Sequence, residues 1–112
     1  MPTVNLFYRK KEHEPQIADI IKPMKGFIAG KLTCGDISLT PEEVSIRVIH
    51  IKLNDGMIAD IEMDITAANF KERVDKQDEI CLEIQAFIKA RISGVDDAKV
   101  WLNLHELGHS FE

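Results

Sequence analysis

The feature that most constrains the fold is a strand, a helix and a strand in succession, an order that occurs twice along the chain. In the first half, residues 3–9 alternate apolar and polar side chains, which is typical of a half-buried strand. Residues 15–32 then place apolar side chains at helical spacing, and residues 44–53 return to a strand pattern. The stripe of this predicted helix consists of Ile17, Ile20, Ile21, Met24, Ile28 and Leu32. Such a crossover is right-handed and leaves its two strands parallel.

The second half repeats this order. Residues 58–67, which read IADIEMDITA, alternate cleanly and predict a third strand, and residues 99–105 predict a fourth. Between them, Asn69 and Glu72 have the spacing of a capping box at the start of a helix that ends near Gly94. The residues of this helix predicted to face inward are Val74, Cys81, Ile84, Ile88 and Ile92.

These elements predict one domain, residues 1–112, of the α+β class: a doubled β-α-β arrangement with a four-stranded mixed sheet and two helices on one face. The Asn-Asp-Gly segment at 54–56 predicts a hairpin turn where the halves join. Both faces of the second strand are largely apolar, and Arg47 lies on the face turned away from the helices. Because the helices cover one face only, the other face predicts contacts with further copies of the chain.

Composition excludes several classes of partner. The net charge of −5 and the isoelectric point near 5.3 argue against nucleic acid and anionic membranes. No apolar run approaches the roughly 20 residues that span a bilayer, and no secretory segment precedes the first strand, so we expect a cytoplasmic protein. Cys34 and Cys81 stand in apolar contexts, and we expect them to be reduced and buried.

The residues His105-Glu106-Leu107-Gly108-His109 match the HExxH pattern of zinc proteases. In those enzymes the motif lies on a helix, and a third ligand follows it downstream. Here a strand pattern precedes the motif and only three residues follow it. We therefore predict a strand end with a solvated tail, and no metal.

The residue after Met1 carries a different chemistry. Removal of Met1 would leave Pro2 with a free secondary amine at the start of a strand. An α-amino group titrates near pH 8, and burial or a neighbouring cation lowers its pKa. A base poised near neutrality moves protons between carbon atoms α and γ to a carbonyl. The alternative interpretation is a proline that merely begins a strand.

Pro2 at the start of a strand, a crossover helix and a strand reading SIRVIHI, with Arg47 in it, together resemble the tautomerase superfamily. The doubled layout is similar to 5-carboxymethyl-2-hydroxymuconate isomerase and to macrophage migration inhibitory factor, and the short SIRVIHI strand is similar to that of 4-oxalocrotonate tautomerase. The stretch from SIRVIH to FIKARI resembles the carboxymethyl-hydroxymuconate isomerase branch most. The resemblance implies a homotrimer with sites near the subunit contacts, no cofactor, and isomerase activity on a small unsaturated keto or hydroxy acid.

The resemblance also implies roles for individual residues. Pro2 would be the base and then the acid of a 1,3-keto–enol shift, and Arg47 would bind a substrate carboxylate and polarise the carbonyl. Arg9, with Lys10 beside it, and Arg73 near the start of the second helix would add substrate contacts.

Other interpretations stay open. Arg9 and Lys10 also suit a solvated turn, and His50 suits a structural role in a strand better than catalysis. The second half does not begin with proline, so one base per subunit is expected. A non-catalytic trimer of the same fold, binding a ligand or a protein, is the alternative to an isomerase.

Overall fold

The computed structural model describes residues 2–35, 38–52, 56 and 59–105. Its four strands form one sheet, and their bounds are β1 Thr3–Tyr8, β2 Ser45–His50, β3 Ile61–Ala68 and β4 Ala98–His105. They lie in the order β2-β1-β3-β4. β1 runs parallel to β2 and β3 parallel to β4, whereas β1 and β3 are antiparallel. The predicted α+β fold with a doubled β-α-β arrangement and a mixed sheet is confirmed.

The first helix, α1, spans Glu14–Leu32, with Pro15 in its first turn, where a missing N–H costs nothing. The predicted second helix consists of two helices, α2 over Lys71–Asp75 and α3 over Gln77–Arg91. Short 3-10 turns precede α1 and β2, at Lys11–His13 and Pro41–Glu43. In the described part of the chain, no helix is long and apolar enough to cross a bilayer.

The predicted capping box at the start of α2 is wrong. Phe70 is the N-cap residue, and its side chain makes no capping hydrogen bond. The Glu72 carboxylate instead accepts a hydrogen bond from the Gly35 N–H, at 3.2 Å. Glu72 therefore ties α2 to the segment after α1 rather than closing its own helix.

The core lies between the sheet and the helices. The helix-facing side chains of the two central strands are buried, namely Val4, Leu6 and Tyr8 of β1 and Ile61, Met63, Ile65 and Ala67 of β3. The α1 stripe buries Ile17, Ile20, Met24, Ile28 and Leu32 as predicted, while Ile21 is partly buried. α3 contributes Ile80, Ile84, Phe87 and Ile88. Val74, predicted to face inward, is 46% exposed because α2 is a short separate helix.

The predicted hairpin between the halves is wrong. β1 lies between β2 and β3, so the segment that joins these two strands does not connect neighbours. Asn54 and Asp55 lie outside the described residues, and Gly56 has a φ of 129°. The physical reason is burial. β3 presents an unbroken apolar face that is buried in the centre of the sheet, whereas β2 lies at the sheet edge and half of its residues are exposed.

Among the residues that the structure describes, none covers the face of the sheet turned away from the helices. Strand register places Arg47, Asn5, Asp64 and Trp101 in one row across it. A second row contains Ile49, Phe7, Glu62 and Lys99. Trp101 is 48% exposed and Ile49 is 36% exposed. We call this surface the open face; it mixes apolar groups with both signs of charge.

Candidate functional site

Pro2 lies immediately before β1 and is buried. Its carbonyl accepts a hydrogen bond from the Ser45 N–H at 3.1 Å, which fixes it beside the start of β2. Thr3 pairs with Thr66, so the register places Pro2 opposite Ala67 of β3. Continuing the alternation of β1, Pro2 lies on the helix side with Val4. We call this end of the sheet the proline end.

Arg47 lies on the open face and is exposed, as the strand pattern predicted. It pairs with Asn5, three residues along β1 from Pro2. That spacing corresponds to about 10 Å along the strand. A single chain therefore separates Pro2 and Arg47 onto opposite faces of the sheet.

Arg9 and Lys10 lie at the other end of β1, about 23 Å from Pro2 at strand spacing. Both bind the same carboxylate: Asp60 Oδ1 is 2.7 Å from an Arg9 Nη and 3.6 Å from Lys10 Nζ. The other oxygen of Asp60 accepts a hydrogen bond from the Asp96 N–H at 3.0 Å. These two cations therefore hold the end of β1 to the segments that lead into β3 and β4.

Asp60 is the residue here that sequence reasoning missed, because it stands as one polar position among several in the alternating segment 58–67. It lies just before β3 and is 3% exposed. The hydrogen bond from Arg9 lowers its pKa to about 2, against the opposing effect of burial. The sequence signal for this buried carboxylate is the adjacent pair of cations, Arg9 and Lys10, at the end of β1, which is the strand beside β3.

The lowered pKa of Asp60 predicts that the folded chain loses stability in acid. The pKa of Asp60 is lower in the folded chain than its ordinary 3.8, so its contribution is complete above about pH 4 and is lost as the pH falls towards 2. We expect about 2 kcal/mol of unfolding free energy to be lost over this range. Urea unfolding across these pH values measures it, and Asp60→Asn is expected to remove that part of the pH dependence. An unchanged dependence in Asp60→Asn would contradict the assignment.

Arg73 lies at the proline end and is 3% exposed. Its Nε donates to the Leu32 carbonyl at 2.9 Å, and its Nη1 donates to the Ala68 carbonyl at 3.0 Å. Its guanidinium lies over the Phe70 ring, 4.8 Å from the centroid. Burial lowers the pKa of Arg73, and the neighbouring Cys34 opposes that shift. Arg73 thus joins the last turn of α1 to the end of β3.

A cavity of about 190 Å³ opens beside Arg73 between the end of α1 and the starts of α2 and α3. Its lining includes Thr33 and Cys34 from the segment after α1, together with Glu72 of α2 and Lys76 at the start of α3. Cys34 is buried, as expected, whereas Cys81 is only partly buried. The cavity is therefore a concave region at the proline end on the helix side.

His50 has structural partners at the end of β2. Its Nε2 lies 3.2 Å from the Arg9 carbonyl, and its ring stacks on Tyr8 at 4.8 Å between centroids. The Tyr8 hydroxyl donates to Glu14, and this hydrogen bond raises the pKa of Tyr8 to about 12. These contacts lie at the end of β1 remote from Pro2.

The HExxH motif begins on a strand. His105 is the last residue of β4 and pairs with Ala68. The other four residues of the motif, 106–109, lie outside the described residues. Within the ranges that the structure describes, no three His, Cys, Asp or Glu side chains are grouped so as to hold a metal ion.

Comparison with known proteins supports the fold. No family model matches the sequence, and no curated protein matches it. The structure is similar to a macrophage migration inhibitory factor-like protein from Entamoeba histolytica, with a TM-score of 0.55 and 13% identity over 97% of this chain and 95% of that chain. It is also similar to Pt0534 inactivated by 2-oxo-3-pentynoate, with a TM-score of 0.58 and 11% identity over 97% and 91% of the two chains.

A third similar structure is a 5-carboxymethyl-2-hydroxymuconate isomerase from Deinococcus radiodurans R1. Its TM-score is 0.50, with 15% identity over 99% of this chain and 87% of that chain. At identities this low, the likenesses establish the fold alone. The chain has a tautomerase-like fold, as the sequence resemblance predicted.

Proposed function

We propose that the protein is an isomerase that catalyses a 1,3-keto–enol tautomerisation of a small unsaturated keto or hydroxy acid, with Pro2 as the base. The observation that carries the proposal is the burial of Pro2 at the start of a central strand of a tautomerase-like fold. Burial lowers the pKa of an amine because the charged form is disfavoured away from water. A secondary amine held rigidly by β1 and freed by removal of Met1 is then a base near neutral pH.

In the proposed reaction, the Pro2 nitrogen takes a proton from the substrate and returns it to a carbon two bonds along the conjugated system. Both transfers use one nitrogen, so the substrate must be held across it. Arg47 is proposed to bind the substrate carboxylate, because a guanidinium donates two parallel hydrogen bonds and stays charged. A substrate of the 5-carboxymethyl-2-hydroxymuconate kind would place the reaction in the breakdown of aromatic compounds in the cytoplasm.

Since one chain separates Pro2 and Arg47 by face and by about 10 Å along the strand, a site with both requires more than one copy. We propose a homotrimer in which the open face is covered and Arg47 of one copy approaches Pro2 of another. The exposed Ile49 and Trp101 are apolar groups that such contacts would bury.

The trimer has a direct test. Light scattering at micromolar concentration is expected to give three times the 12.7 kDa chain mass. Ile49→Asp, which places a charge on the open face, is expected to lower the mass, because burying an unpaired carboxylate is unfavourable. Val74→Asp, an equally charged change at an exposed position on α2, is the matched control and should leave the trimer intact. A 12.7 kDa monomer of the wild type would defeat this proposal.

Substrate contacts by Arg9, Lys10 and Arg73 stay predictions. Of these three, Arg73 is the residue at the proline end, while Asp60 already binds Arg9 and Lys10. If the other two contact substrate, they must do so from a different copy of the chain.

The activity is tested by ketonisation of acidic enols such as 2-hydroxymuconate and phenylenolpyruvate, followed by ultraviolet absorbance. Protein whose Met1 has been removed, as verified by intact mass, is expected to accelerate the reaction. If the processed wild type gives no rate above that of Pro2→Ala, the isomerase proposal fails for these substrates. The non-catalytic trimer that binds a ligand or a protein then becomes the better interpretation.

A further inference from the structure

Arg73 differs from the other arginines in its position in the fold. The chain has four arginines. Arg9 is paired with Asp60 at the far end of β1, and Arg47 is exposed on the open face. Arg91 ends α3 and lies over the Phe87 ring at 4.2 Å. Arg73 alone lies at the proline end on the helix side, which is also the side of Pro2.

The register sets the distance between Arg73 and Pro2. Pro2 lies opposite Ala67, and the next residue of β3, Ala68, accepts the hydrogen bond of Arg73 Nη1 at 3.0 Å. Antiparallel neighbours are about 5 Å apart between Cα atoms. By this spacing the guanidinium lies roughly 10 Å from the Pro2 nitrogen.

The charge of Arg73 has no described carboxylate paired with it. Among the described residues, no Asp or Glu oxygen forms a salt bridge with its guanidinium. Two main-chain carbonyls accept its hydrogen bonds instead. Burial makes the charged form costly, yet a guanidinium keeps its proton in proteins. Arg73 is accordingly a fixed positive charge that is buried away from bulk water.

The other charged groups near Arg73 are of both signs. Lys31 of α1 is paired with Glu83 of α3, and the Glu72 carboxylate is bound to the Gly35 N–H. The β-strand elements at this end place neutral residues beside Pro2, and His105 of β4 is exposed. The titratable groups that line the cavity beside Arg73 are Lys31, Cys34, Glu72, Lys76, Glu79 and Glu83. Three are acids and two are lysines, so Arg73 balances this set and alone is buried as a cation.

Arg73 also removes a negative charge that would act against the base. The carbonyls of the last turn of a helix carry a partial negative charge, which favours an ammonium nearby. α1 ends at Leu32, and the Leu32 carbonyl is one of the two acceptors of Arg73. The guanidinium therefore neutralises the α1 end at the place where Pro2 is buried.

We propose that Arg73 is a positioning residue whose buried charge keeps the Pro2 amine unprotonated near neutral pH, in place of the substrate contact that the resemblance implied for it. This inference rests on the proposed function, in which Pro2 is the base. A unit charge about 10 Å away, at an effective dielectric constant of about 20, moves a titration midpoint by on the order of one pH unit.

The test is titration of the Pro2 nitrogen by NMR on protein labelled with ¹⁵N-proline and shown by intact mass to lack Met1. The other three prolines are tertiary amides and do not titrate. Arg73→Gln removes the charge but retains donors for the two carbonyls, and its midpoint is expected to rise by about one pH unit. Arg73→Lys is expected to keep most of the wild-type midpoint. Arg91→Gln removes an arginine from the remote end of α3 and should leave the midpoint unchanged.

Titration in the absence of substrate separates this inference from the proposed function. An unshifted midpoint in folded Arg73→Gln, as judged by circular dichroism, overturns the role of Arg73 even if the enzyme turns over. A shifted midpoint without ketonisation keeps the role of Arg73 and sinks the isomerase. If Arg73→Gln does not fold, the wild type decides, because a midpoint at or above the ordinary value near 8 overturns the inference. Retained Met1 overturns it as well.

Discussion

Pro2→Ala is expected to slow ketonisation of acidic enols roughly 10- to 100-fold, less than the 10²- to 10⁴-fold that a general base contributes in full. The variant keeps an N-terminal amine, so a base is still present. That amine is primary and more mobile than the ring nitrogen of proline, so its approach to the substrate is less well defined. The loss is expected in kcat, with little change in KM, because Pro2 acts in the transition state rather than in binding.

The matched control is Pro15→Ala, which changes a proline in the first turn of α1. Pro15 carries no free amine, so its replacement is expected to leave kcat unchanged. Steady-state kinetics on both variants, with Met1 loss verified for each, make the comparison. Equal rates for wild type and Pro2→Ala would remove Pro2 from the mechanism.

Arg47→Ala is expected to weaken binding of an acidic enol by one to two orders of magnitude. A hydrogen bond to a charged group contributes about 1.5–3 kcal/mol, which corresponds to this loss of affinity. If the guanidinium also polarises the carbonyl, kcat falls too. Arg47→Lys keeps the charge but not the two parallel donors, so we expect it to recover only part of the affinity.

Lys52→Ala is the control for Arg47, because Lys52 is an exposed cation just beyond β2. Its loss removes the same unit of charge from the surface and is expected to leave KM unchanged. Isothermal titration with a non-reactive dicarboxylate, or KM for the enol, measures both variants. A similar loss in Lys52→Ala and Arg47→Ala would indicate general attraction of an anion rather than a specific clamp.

The strands and α1 were predictable because their signals are local. Val4, Leu6 and Tyr8 alternate along β1, and the apolar stripe of α1 follows the helical period. The buried face of both elements can therefore be identified from residues that are close in sequence. The order of the strands is not local. The Asn-Asp-Gly segment is a strong hairpin signal on its own, but the apolar face of β3 pairs with β1 instead. The cap of α2 failed similarly, since Glu72 binds Gly35 from another segment.

The candidate site was predictable residue by residue but not as an arrangement. The strand pattern correctly assigned Arg47 to the face away from the helices, and Pro2 lies where the start of β1 was expected. Their separation onto opposite faces follows from register, which no single segment reveals. The burial of Asp60 and Arg73 was missed for the same reason, because their partners are distant in sequence.

The most direct test of the account combines two measurements on one sample, the intact mass of the native protein and its rate of enol ketonisation. We expect a mass lower than the full sequence by one methionine residue, together with ketonisation activity. A sample separated into processed and unprocessed fractions should carry the activity in the processed fraction, because an amide nitrogen at Pro2 is no base. Full activity in the fraction that retains Met1 would contradict the assignment of Pro2 as the base.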